Sequence, residues 1–126
     1  MADVKDFQAK IETIAAHRGS FRPEAYFFVL EALERVLGTM GERRHISGGQ
    51  LLKGIRDLAR ERFGPMAKDV LNEWGVFTTL DFGHAVFDLV EARLLSKTEE
   101  DSLSDFSDQF DFEQVFEVDY FENHSC

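Results

Sequence analysis

Cysteine is nearly missing from this chain. The only one, Cys126, is the last of 126 residues, so an intramolecular disulfide is excluded and a reducing compartment is the expected setting. Long apolar runs are missing too. The densest, Phe27-Phe28-Val29-Leu30, has four residues, against the roughly 20 that a membrane-crossing helix needs. The opening Met-Ala-Asp-Val-Lys-Asp-Phe carries two acids and no apolar stretch, so no secretory signal is expected and a cytoplasmic location is. Tryptophan occurs once, proline twice, and both prolines (Pro23 and Pro65) fall where helices should begin.

Cations are scarce in one region only. Residues 1–95 hold thirteen Lys and Arg against fourteen Asp and Glu, a balance of −1, whereas residues 96–126 hold Lys97 against ten carboxylates, a balance of −9. The net charge of −10 is therefore almost entirely a property of the last quarter of the chain. Such a tail repels nucleic acid and anionic membranes and favours basic partners.

Apolar residues repeat with helical period across the first 95 residues. Val4, Phe7, Ile11 and Ile14 share one face of a helix over 3–16, and His17-Arg18-Gly19 is a basic last turn with a glycine stop. From Pro23 to Leu37 apolar residues cover most of the circumference, which predicts a buried central helix. Residues 38–45 form a loop. Ser47 with Gln50 is a capping box, flanked by Ile46 and Leu51 as a hydrophobic staple, and it opens a helix that runs to Phe63. Gly64-Pro65 ends that helix and starts another, with Ala67, Val70, Leu71 and Trp74 in register up to Gly75. A second box, Thr78 with Asp81 and a staple of Phe77 and Phe82, opens the fifth helix. Beyond Ser96 aliphatic residues nearly vanish. Phe106, Phe110, Phe112, Phe116, Tyr120 and Phe121 alternate with acids, too many rings for an inert solvating tail. Pairing of Val76-Phe77 with 114–120 as short strands is the weaker option for that region.

In Arg44-His45-Ile46-Ser47-Gly48, Gly64-Pro65-Met66-Ala67, Trp74-Gly75, Asp81-Phe82-Gly83 and the run 94–101, the chain resembles a small bacterial protein family with no assigned function. The resemblance covers most of the chain. It implies a bacterial cytosolic protein and carries over no activity and no functional residue.

Four sets of residues suggest chemistry. Asp81, His84, Asp88 and Glu91 share one face of the fifth helix, and Asp-x-x-His echoes the Glu-x-x-His pair of di-iron bundles. That face lies opposite the apolar stripe, so a solvated surface is the expected reading and a metal site the alternative. The last two helices have helix-turn-helix spacing, but the acids on the second would be repelled by DNA. Arg43, Arg44, Lys53, Arg56, Arg60, Arg62 and Lys68 form the basic concentration, with Lys53, Arg56 and Arg60 on one face and a Lys53–Asp57 pair expected along it. It lacks the interleaved aromatics of a single-strand binder and any glycine-rich phosphate loop. Cys126 and His124 are terminal and hard to pre-organise for nucleophilic catalysis. The tail itself joins large apolar rings to negative charge, a combination suited to a cationic groove on its own domain near Arg56 and Arg60, or on a partner.

The sequence thus predicts an all-α fold, one bundle of about five helices over 1–95 followed by an acidic, aromatic-rich tail over 96–126 that docks or stays partly disordered. It predicts a non-enzymatic protein-interaction or regulatory module acting through Phe106, Phe110, Phe112, Phe116 and Tyr120 and through Lys53, Arg56 and Arg60. The expected partner is another protein, with no membrane and no cofactor. A metal protein using Asp81, His84, Asp88 and Glu91, and a weak nucleic-acid binder using the Arg43–Arg62 cluster, are the rival readings.

Overall fold

The computed structural model describes residues 4–39, 46–95, 106 and 109–118, and helices account for the regular structure among them. In order they are α1 (Val4–Arg18), α2 (Pro23–Thr39), α3 (Gly48–Phe63), α4 (Ala67–Glu73) and α5 (Thr79–Glu91). A 3₁₀ turn, Gly64–Met66, leads into α4, and a π turn, Gln114–Val118, lies beyond α5. Among the described residues there is no strand, and the region weighed as one from Gln114 is this helical turn.

Both predicted start signals act as caps. Ser47 Oγ accepts the Gln50 amide (3.1 Å) while Gln50 returns a carboxamide oxygen to the Ser47 amide (2.9 Å). Thr78 and Asp81 make the same reciprocal pair at α5, at 3.3 and 3.2 Å. Each box supplies partners for amides that have none within the helix. The staples differ. Ile46 packs against the core that holds Leu51, but Phe77 is 60% exposed although Phe82 is fully buried.

Helix ends fix the turns. Past α4 the Val76 amide reaches the Leu71 carbonyl and the Gly75 amide that of Asn72, a Schellman turn with Gly75 at φ 91°. A Cβ on Gly75 would lie 2.0 Å from the Ser20 carbonyl oxygen, so glycine serves both the turn and the close approach. The neighbouring Trp74 carbonyl accepts the Arg22 amide at 2.9 Å, tying the start of α2 to the end of α4. The same Schellman bonds close α5, with Arg93 in the left-handed position at φ 65°.

α2 is the central helix and touches α1, α3 and α5. Its Ala25, Tyr26, Phe28, Val29 and Ala32 are buried. α3 crosses it closely at Gly54, where a Cβ would fall 2.3 Å from a Val36 methyl. Arg62–Glu31 and Arg35–Glu61 ion pairs span the two helices. Phe28, Phe63 and Trp74 gather with centroids 5.5–5.6 Å apart where α2, α3 and the end of α4 meet. The core does not end with α5, because Phe106, Phe112 and Phe116 belong to it.

Candidate interaction site

α5 has two buried faces. Phe82, Ala85 and Leu89 lie in the main core. Thr79 and Gly83, also buried, form a second stripe four residues apart, which Phe87 continues. This second face receives the C-terminal segment. Phe106 sits on Gly83 so closely that a Cβ there would lie 2.7 Å from the Phe106 Cβ and 2.8 Å from its Cγ. The Phe87 ring meets Phe106 edge-on at 6.4 Å. Thr79, the only buried polar side chain among the described residues, accepts the Gln109 amide on its hydroxyl at 3.1 Å. A helix interior gives up about 1 kcal/mol by holding glycine rather than alanine, and here that position admits an aromatic ring.

The segment then turns on Asp111, whose carboxylate accepts the Gln114 amide (3.0 Å) and whose carbonyl accepts that of Val115 (2.9 Å). This local cap brings Phe110, Phe112 and Phe116 into a triangle of rings 5.4–5.9 Å apart. Phe112 also meets Phe82 at 5.9 Å. Glu117 pairs with Lys68 at 3.3 Å, and the π turn lies against the 3₁₀ turn and α4. The Glu117 hydrogen bond raises the Lys68 pKa above its ordinary value, favouring the cation.

Phe106, Phe112 and Phe116 are therefore buried and Phe110 is half-buried, while Tyr120 lies outside the described residues. The ion pair that holds the segment involves Lys68, whereas the expected neighbours were Arg56 and Arg60. Arg56 binds the adjacent Asp57, replacing the anticipated Lys53–Asp57 pair. A guanidinium one residue away reaches that carboxylate, and Lys53 stays exposed. With Arg62 on Glu31 and Lys68 on Glu117, Lys53 and Arg60 are the members of the basic cluster without a carboxylate partner among the described residues. Arg43 and Arg44 lie outside those residues.

The acidic face of α5 is less solvated than its hydropathy implies. Asp81 turns to the Phe77 and Thr78 amides. Asp88, with its side chain 13% exposed, accepts the Tyr26 hydroxyl at 2.7 Å and an Arg18 guanidinium N–H at 2.8 Å, and pairs with Arg18 Nε as well. His84 is half-buried and Glu91 is exposed. The expectation that all four face water is corrected here, because α1 and α2 bring Arg18 and Tyr26 over Asp88. Two of the four ligand candidates are thus turned to different partners, and no group of three or more metal-binding side chains gathers among the described residues.

The Arg18–Asp88 pair borders a cleft of about 520 Å³ between the ends of α1 and α5, with Ile14 and Ala92 as apolar lining and His17 and Glu91 at its edge. Burial, then the hydrogen bond to Asp88, raises the Tyr26 pKa well above the ordinary phenol range. The hydrogen bond to Asp88 raises that of Arg18, which stays charged. Both groups are thereby held in one protonation state, as a structural clasp requires.

Sequence reasoning passed over Thr79, Gly83 and Tyr26 as site residues, and it placed Lys68 in the basic cluster without pairing it to the segment. A glycine four residues after a small residue inside an otherwise strong helix was the available signal for the first two. Among the described residues no helix is long and apolar enough to cross a membrane. No family model, no curated protein and no solved structure matches this chain.

Proposed function

We propose that this chain is a non-enzymatic protein-interaction module whose acidic aromatic segment serves as a contact element, held on its own domain or offered to a partner. What supports the reading above all is the seat of Phe106 on Gly83: a helix position kept free of a side chain and filled by an aromatic ring from an acidic segment. The contacts are of the kind used between proteins, namely apolar anchors, a part-buried hydrogen bond from a backbone amide to the Thr79 hydroxyl and a peripheral ion pair. Docking in cis gives the segment a high effective concentration, so a partner must compete with it, and release becomes a point of control. Lys53 and Arg60 offer further cationic contacts on α3.

Capture from cell extract with wild-type chain, Gly83→Ala and a chain ending at Asp101 tests this. Gly83→Ala crowds the ring seat, so the segment should be cut faster by protease and the captured set should change: proteins that take the released segment should increase, and those that need it seated should decline. The shortened chain should lose them. An identical captured set from all three chains would end the proposal.

A further inference from the structure

The expected staple partner of Phe82 faces water. Phe77 is 60% exposed, and apart from Met66 it is the one exposed large apolar side chain among the described residues. Fraying does not account for this, because the Phe77 amide is bound to Asp81 Oδ2 at 2.8 Å within the capped start of α5. Its ring borders a cleft of about 240 Å³ lined by Phe77, Thr78, Thr79, Phe110, Asp111 and Phe112. Half of that wall comes from Phe77, Thr78 and Thr79 at the start of α5 and half from the C-terminal segment, so the cleft exists only while the segment is seated.

We propose that this composite cleft binds a basic segment of a partner protein that carries an aromatic anchor. The proposal rests on the interaction-module reading and names the partner chemistry for its docked form, in which the segment is held on its own domain. Phe77 and Phe110 supply apolar walls for an inserted ring, the commonest kind of energetic centre in a protein contact. Among the described residues the one ionisable group in the lining is Asp111, which is exposed, and Glu113, also exposed, lies two residues on; none of the described lining residues is a cation. An anionic ligand is disfavoured as well, because the Phe77 and Thr78 amides are taken by the Asp81 carboxylate and the Asp81 amide by the Thr78 hydroxyl. A cationic segment is therefore the complementary partner. Because both halves of the wall must be present, binding there stabilises the docked state, and docking raises affinity by the same factor.

The probe is a short synthetic peptide with one tryptophan between lysines, beside a twin with glutamates in their place, titrated against the full chain by fluorescence anisotropy. The lysine peptide should bind, with affinity falling as salt rises, and the glutamate twin should not. Phe77→Ser should lose about tenfold or more, as expected for an anchor, with thermal stability unchanged. Asp111→Asn keeps the cap and removes the charge, so it should weaken binding and flatten the salt dependence. Gly83→Ala, which touches no part of the cleft, should weaken binding by loosening the segment. Equal binding of the two peptides, no binding of either, or an unaffected Phe77→Ser would overturn the assignment. In that event the extract-capture result still decides the broader reading.

Discussion

The α2–α3 crossing and the seat of the C-terminal segment on α5 use the same device in different settings. At both, a glycine inside a helix lets a neighbour approach where a methyl would collide, Val36 over Gly54 and Phe106 over Gly83. The first contact joins two long helices that are also spanned by Arg62–Glu31 and Arg35–Glu61. The second joins a helix to a segment anchored by Thr79–Gln109 and Lys68–Glu117. Loss of the first should loosen the whole bundle. Loss of the second should release one part and leave the rest. A glycine contact is thus structural or switchable according to what else bridges the two sides.

The largest effect expected challenges that contrast directly. Phe116 is fully buried against Phe110 and Phe112, so Phe116→Ala should cost about 3–5 kcal/mol in urea unfolding. A loss below about 1 kcal/mol, the scale of a surface change, would mean that the segment contributes little to the core. Next in size, Gly54→Ala should lower global stability by about 1–3 kcal/mol as Val36 is displaced. Gly83→Ala should instead raise hydrogen exchange in 109–118 while α1–α4 keep their protection. Matching exchange patterns in the two variants would erase the distinction.

The smallest effect concerns the hydrogen bond from Tyr26 on α2 to Asp88 on α5. The folded state holds the Tyr26 proton more tightly than the unfolded chain does, because its pKa is raised. That contribution is complete below the ordinary phenol value of 10.0 and is lost as pH climbs above it. Tyr26→Phe should cost about 1 kcal/mol, the net worth of a hydrogen bond, and should remove this part of the alkaline decline. The check is urea unfolding at stepped alkaline pH for both chains; identical slopes would show that Tyr26 does not titrate with unfolding.

Legibility from sequence followed range along the chain. Ser47–Gln50 and Thr78–Asp81 were readable because each box closes within one turn, and the helices because their apolar residues repeat at short spacing. Gly83 was not, because its reason is a ring more than twenty residues away in a segment without periodicity. Asp88 looked solvated while only its own helix was considered; Tyr26 and Arg18 reach it from 62 and 70 residues away. Phe77 was expected to pack on Phe82, but Phe112 already meets that ring from the C-terminal segment. Phe110, Phe112 and Phe116 stood out as a group by composition, yet their destination depended on Thr79, Gly83 and Lys68, whose local pattern does not say which segment they receive.

Asp88 also sets a direction. Fastened to α1 through Arg18 and to α2 through Tyr26, its carboxylate acts as a key that stops α5 from rolling about its long axis. One residue of slippage would turn the helix by about 100°, carrying Thr79 and Gly83 away from Phe106. The clasp at one end of α5 therefore decides whether a landing place is presented at the other.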